Sequence, residues 1–179
     1  KKQQSLEKTL KKQFKKNTIL RDLQNNGIKF FTKSFKIKDH KMKVYVSQIP
    51  HSDDSYVSVS DLGVLDILVE DSEAKEIIVD NFLTKFPFKE IGGIVQKLAS
   101  KLRSQGKIVF YQAEIDMVCY QRSRSMIDLD RLNQILFSQG EIRSVLPIEN
   151  LVDLLKSFGL TVRSKELHDT CQAVIVATR

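Results

Sequence analysis

The stretch Glu76-Ile77-Ile78-Val79-Asp80-Asn81-Phe82-Leu83-Thr84-Lys85-Phe86-Pro87-Phe88, continued through Lys107-Ile108-Val109-Phe110, decides the fold. Its opening run from Glu76 to Asp80 is short, apolar and rich in β-branched residues, as a strand buried on both faces should be. Pro87 cannot sit in a central ladder, so the strand ends before it. Ile91, Ile94, Val95, Leu98 and Leu102 then recur at three and four residues, which predicts a helix with one apolar stripe that closes near Gly106. Lys107 to Phe110 reads as a second buried strand. Strand, helix and strand with short joints make a βαβ unit, and hence a parallel sheet covered by helices.

Working outward, Lys43–Ser47 and Tyr56–Ser60 read as two further strands, with only Gln48 to Ser55 between them and no room for a helix. Downstream, Leu129, Leu132, Ile135 and Leu136 predict a helix within Ile127–Phe137, and Leu151, Leu154 and Leu155 a second one within Ile148–Phe158, ended by Gly159. Leu160–Leu167 and Cys171–Ala177, around His168-Asp169-Thr170, read as a closing antiparallel hairpin. Upstream, Leu6, Leu10, Phe14, Leu20 and Leu23 share a helical face stopped by Asn25-Asn26-Gly27. Phe31, Phe35, Ile37 and then Met42, Val44, Val46 alternate with polar residues, as in two strands joined by a turn.

The charge divides at the same place. Residues 1–43 hold 14 Lys and Arg against 3 Asp and Glu, and the remainder holds 15 against 19. Any polyanion contact should therefore run through residues 1–43, where a solvated helix face is the competing reading. The expected organisation is a basic amphipathic arm over 1–27 and one α/β domain over 28–179. The arm's narrow apolar stripe is marginal alone and needs a cover: a protein partner, a second copy, or its own body. No apolar run approaches a membrane span and the lysine-rich amino end lacks a signal-peptide core, which implies a soluble, cytoplasmic protein. Two cysteines, Cys119 and Cys171, make no disulfide framework and read as buried small apolar residues.

The element order resembles the short class I S-adenosylmethionine-dependent methyltransferases. Glu76-Ile77-Ile78 through Phe86 and Leu102 through Val109 follow the family's fourth strand, helix and fifth strand. Met42 to Val46 and Tyr56 to Val59 follow its direct first jump, and Leu65-Asp66-Ile67-Leu68-Val69 its third strand. Leu154-Leu155-Lys156-Ser157-Phe158-Gly159-Leu160 and the hairpin follow its carboxyl end. The resemblance covers about Lys41 to Arg179 and implies a Rossmann-like sheet of about seven strands, mostly parallel, with helices on both faces and an antiparallel carboxyl-terminal hairpin. It also implies a donor site, and there the sequence departs from the pattern.

The family's Gly-Cys-Gly turn falls on Ser47, Gln48 and Ile49, followed by Pro50, where three side chains and a ring would project toward the ligand. Ser60 stands where an acid usually accepts from the ribose, with Asp61 beside it. Thr84-Lys85 replaces the family's Glu-His. Asp80 and Asn81, at the end of the fourth strand, are the remnant of a catalytic site or simply cap the loop. His40, His51 and His168 are scattered, and His51 with Asp53 and Asp54 is a loop metal site or, more simply, a polar turn. These departures lead to the expectation of a catalytically degenerate methyltransferase-like module with no cofactor. Its role would be structural or in protein interaction, and, as such short domains are common in phage genomes and sugar-modifying clusters, that of a virion or assembly component. The alternatives are an S-adenosylmethionine-dependent methyltransferase with an atypical donor loop, and a nucleic-acid-binding module acting through residues 1–43.

Overall fold

The computed structural model describes residues 42–49, 51–137 and 142–179. The arm with Leu6, Leu10, Phe14, Leu20 and Leu23, the alternating segment before Met42, His40 and Pro50 lie outside the described residues. What is described belongs to the second of two units into which the chain divides, Asp39–Arg179.

Six strands are described: β1 Met42–Val46, β2 Val57–Val59, β3 Ala74–Asp80, β4 Leu102–Ala113, β5 Thr161–His168 and β6 Gln172–Thr178. They form one sheet in the order β2-β1-β3-β4-β6-β5. β1 pairs in parallel with β2 and β3, and β3 with β4. β6 runs antiparallel to both its neighbours, so it alone is reversed. The fold is therefore α/β and Rossmann-like, mostly parallel, with an antiparallel carboxyl-terminal hairpin.

The helices are α1 Leu62–Leu68, α2 Phe88–Lys101, α3 Ile115–Ser123, α4 Leu129–Phe137 and α5 Ile148–Ser157. Leu65 of α1, Ile91, Ile94, Val95 and Leu98 of α2, and Leu151, Val152 and Leu155 of α5 meet Val44, Val46, Ile77, Val79, Ile108, Phe110, Ala173 and Ile175 in one core cluster. Because strand side chains alternate, all of these strand residues lie on one sheet face. Each large apolar side chain fully buried there contributes roughly 1.5–3 kcal/mol. Lys43, Tyr45, Glu76, Ile78, Lys107 and Val109 occupy the other face, and among the described residues no helix joins them in that core. Across it, Glu76 pairs with Lys107 at 2.8 Å and Lys43 at 3.6 Å. Its burial opposes charge, yet the two lysines together hold its carboxyl below the usual range.

Three expectations are corrected. Leu65–Val69 is no third strand: Leu62–Leu68 is helical, because Asp61 caps it by accepting from the Gly63 and Val64 N–H groups at 2.6 and 3.4 Å. Six strands are thus described instead of seven. Asp66 sits on that helix and bonds Lys97 (2.8 Å) and Lys101 (3.4 Å) of α2, the surface acid of the simpler reading. The α2 helix ends at Lys101, not near Gly106, which lies inside β4. Between Ala74↔Leu102 and Glu76↔Lys107, β4 carries an excursion over Arg103 to Gly106. A Cβ at Gly106 would stand 2.9 Å from the Arg103 carbonyl oxygen and 3.0 Å from that of Ala74, so glycine is required there for close approach. Finally, Cys171 is buried but Cys119 is exposed on α3, a helix that weak periodicity hid. Among the described residues, no helix is long and apolar enough to cross a membrane.

Candidate functional site

β1 lies between β2 and β3, so the chain leaves it in one direction to reach β2 and β3 forms on its other side. In an open α/β sheet this reversal opens a crevice outside the carboxyl ends of the strands, the usual place for a ligand. Ser47 to Ile49 follow β1, Ser60 and Asp61 follow β2, and Asp80 and Asn81 close β3.

Asp80 is the centre of a hydrogen-bonded chain. The Tyr45 hydroxyl donates to one of its carboxylate oxygens at 2.6 Å, and the Asn81 side-chain amide donates to the other at 3.1 Å. The Ser47 hydroxyl lies beside the same phenol and acts on it in the lowering direction. Burial, with the bond to Asp80 next, pushes the Tyr45 hydroxyl up to about 12, so it remains a donor at neutral pH. Asn81 has φ 46°, a left-handed conformation that asparagine tolerates. Its side-chain oxygen accepts from the Ala113 N–H at 3.1 Å and its backbone carbonyl accepts from the Thr84 hydroxyl at 2.8 Å. This chain joins the carboxyl ends of β1, β3 and β4.

Lys85, in the single helical turn Leu83–Lys85, brings the opposite charge. Its ammonium lies 4.8 Å from the centre of the Phe82 ring. Burial lowers it below the usual lysine range, while Asp61, at the end of β2, acts in the other direction. At the far side, buried Glu114 follows β4. One of its oxygens accepts from the Ile148 N–H at 2.9 Å and the other from the Asp116 N–H at 3.4 Å, so it caps two helices.

The turn after β1 is not the family's glycine turn. Ser47 is buried with its hydroxyl accepting from the Ile49 N–H at 3.2 Å, Gln48 is half-buried, and Ile49 is 59% exposed. No described residue of this turn has a positive φ. The following segment folds back over the sheet face that carries Tyr45: the His51 N–H donates to Ser58, and the His51 ring sits 4.4 Å from Tyr45 and 5.1 Å from Tyr56. Ser60 is exposed, and Asp61 uses its carboxylate as a helix cap. Asp53 accepts from the Ser55 N–H and hydroxyl, and His51 Nδ1 accepts from the Asp53 N–H at 3.0 Å, the arrangement of a polar turn. Among the described residues no group of three or more His, Cys, Asp or Glu could hold a metal. His168 is the last residue of β5, the strand at the opposite edge of the sheet from β2. A cavity of about 390 Å³ lies between α2 and α5, lined by Phe88, Ile91, Leu146 and Asp153, and touches none of the residues at the β1 and β3 ends.

The structure thus brings Ser47, Asp80 and Asn81 together and leaves Ile49 and Ser60 in solvent. The sequence reading missed Tyr45, whose only signal is a polar ring at an alternating position of an apolar strand, just before the turn.

Compared by sequence, the chain matches no family model and no curated protein. Compared by structure, it is similar to a possible exported protein from Bordetella parapertussis, with a TM-score of 0.52 at 12% identity over 70% of this chain and 44% of that one. That likeness is one of fold. An O-methyltransferase family protein from Burkholderia thailandensis aligns at 13% identity over 78% of this chain and 43% of its own, with a TM-score of 0.48. Magnesium protoporphyrin IX methyltransferase from Synechocystis PCC 6803, with bound SAH, aligns at 12% identity over 69% and 50%, with a TM-score of 0.45. The chain spans half or less of the length of these three proteins.

Two expectations are corrected here. The expectation of a degenerate module that takes no cofactor is not upheld: two of the solved structures with which the chain aligns are described as methyltransferases, one of them with bound SAH. The physical reason for the misreading lies in the turn after β1. Ser47 folds inward and Ile49 stands in solvent, so these two side chains do not crowd one place.

Proposed function

We propose that this chain is an S-adenosylmethionine-dependent methyltransferase domain with an atypical donor loop. The observation that supports it most is the Asp80 carboxylate at the carboxyl end of β3, fixed beside the switch point by Tyr45 and Asn81, with the Lys85 ammonium on the following turn against the Phe82 ring. A donor with a zwitterionic amino-acid end next to a sulfonium cation needs an anion, a cation and a polarisable face, and Asp80, Lys85 and the Tyr45 ring supply these three. When bound, the donor supplies an electrophilic methyl group. The residues present fit that group, with Asp80 and Lys85 holding its amino-acid end. Tyr45 keeps its proton and so orients Asp80 without competing as a base.

Titration calorimetry of the full chain with SAH tests the proposal. A saturable isotherm is expected, and Asp80→Asn or Lys85→Met should each weaken it about tenfold, the equivalent of about 1.4 kcal/mol. Absence of heat from the wild type up to millimolar SAH would refute it.

A further inference from the structure

The cavity of about 390 Å³ between α2 and α5 gathers three features that the fold leaves unexplained. Phe88, the first residue of α2, lines it and is 60% exposed. Gly92, also lining it, lies inside α2, where glycine is less favourable than alanine. A Cβ at Gly92 would meet Leu154 Cδ2 at 3.9 Å, an ordinary contact, so the fold itself has room for alanine. The space that such a methyl group would take is left to the cavity. Third, Asn150 and Asp153 stand three residues apart on one side of α5. Both are exposed, and among the described residues their side chains have no hydrogen-bond or ion-pair partner.

Ile91 and Leu146, both buried, add apolar surface to the lining, and among the described residues no lysine or arginine lines the cavity. Its volume falls in the range of small-molecule sites, roughly 300–1,000 Å³. Apolar walls, an aromatic ring and one unpaired carboxylate near a carboxamide are complementary to an ammonium group carried on an apolar body. The carboxylate and the amide oxygen accept from the ammonium, the ring attracts the cation, and the apolar walls take the body. We propose that the α2–α5 cavity is a binding site for a small organic amine. Gly92 then keeps the depth that the amine's body occupies. Since none of the lining residues belongs to the β1 or β3 ends, this site is separate from the donor crevice and does not depend on the methyltransferase reading.

Two probes with the same ring and opposite charge test this: 2-phenylethylamine and phenylacetate, each titrated into the full chain and followed by amide chemical shifts in NMR. The amine should give saturable shifts centred on Gly92 and Asp153, and phenylacetate should bind more weakly. Asp153→Asn should lower the amine's affinity roughly two- to fivefold, the range of an exposed ion pair, and bring the two probes closer together. Gly92→Ala should unfold at the same temperature as the wild type or higher, with the amine bound more weakly. No saturable shift with the amine, shifts centred elsewhere, or equal affinity for both probes would overturn the proposal. So would an Asp153→Asn chain that binds the amine as before. A Gly92→Ala chain with unchanged amine affinity would do the same, and one with a lowered unfolding temperature would mark a glycine that serves the packing of the helices.

Discussion

Glu114 follows the last residue of β4, is almost wholly enclosed, and carries two helix caps on one carboxyl group. The two N–H groups favour its anion, but burial acts the other way and dominates, with Asp116 and Glu149 adding to it, so the group lies above its ordinary 4.5. A carboxyl raised in the folded state binds its proton more tightly there than in the unfolded chain. Its contribution to stability is therefore fully present below about 4.5 and is lost as pH rises through the higher folded value. Asp66 and Glu76, both lowered, act in the opposite sense and lose their contribution in acid. Glu114→Gln should flatten the decline that Glu114 causes above pH 4.5, leaving stability at pH 7 equal or higher, provided the amide oxygen still accepts from Ile148. Denaturant unfolding of both proteins from pH 4 to 7 checks this; a uniform loss at every pH would mean that the caps, not the charge, are what the carboxylate provides. At this scale the sequence was informative where chemistry is local. Asp80 and Asn81 stand at a strand end before a proline, and their residue types suffice to mark them. Tyr45 could not be read in the same way, because it matters through β3, far along the chain.

The carboxyl end of α2 shows how an element can be finished from a distance. Its last carbonyls have no intrahelical donors. The Arg179 guanidinium fills the role: one nitrogen lies 2.5 Å from the Leu102 carbonyl oxygen and 3.3–3.4 Å from those of Ser100 and Ala99 and from the Ser72 hydroxyl. A cation there also suits the negative end of the helix dipole. Arg179 itself is exposed, which reduces the effect, and Arg179→Ala should cost about 1 kcal/mol in denaturant unfolding, with Arg179→Lys recovering part of it. An unchanged midpoint for Arg179→Ala would show the contact to be incidental. Elements with one strong period were legible in the sequence: α2, α5 and the hairpin lie close to where their patterns put them. Leu62–Leu68 was not, since Leu65, Ile67 and Val69 alternate as a strand would while Leu62, Leu65 and Leu68 recur as in a helix. The Asp61 cap settles the conflict by satisfying the first N–H groups. β4 was longer than its apolar run because Arg103 to Gly106 bulge out of register, which no periodicity announces.

Across the whole molecule, the sheet is unequal from edge to edge. β3 and β4 are each flanked by strands on both sides, whereas β2 is three residues long and, among the described residues, pairs with β1 alone. A segment held by so few backbone bonds opens at much lower free energy than the interior. In hydrogen–deuterium exchange, the amides of Val57 to Val59 and Ser47 should exchange orders of magnitude faster than those of Ile77 to Val79, at a rate set by local opening and not by global unfolding. Equal protection across β2 and β3 would contradict this. The consequence reaches the crevice, because Ser47 and the His51–Tyr45 ring contact belong to the same edge. If the β2 margin opens and closes many times for each global unfolding, it works as a door. A ligand seated beside Asp80 would hold that door shut, slowing exchange at Ser47 and β2 while leaving the opposite edge, β5, at its former rate.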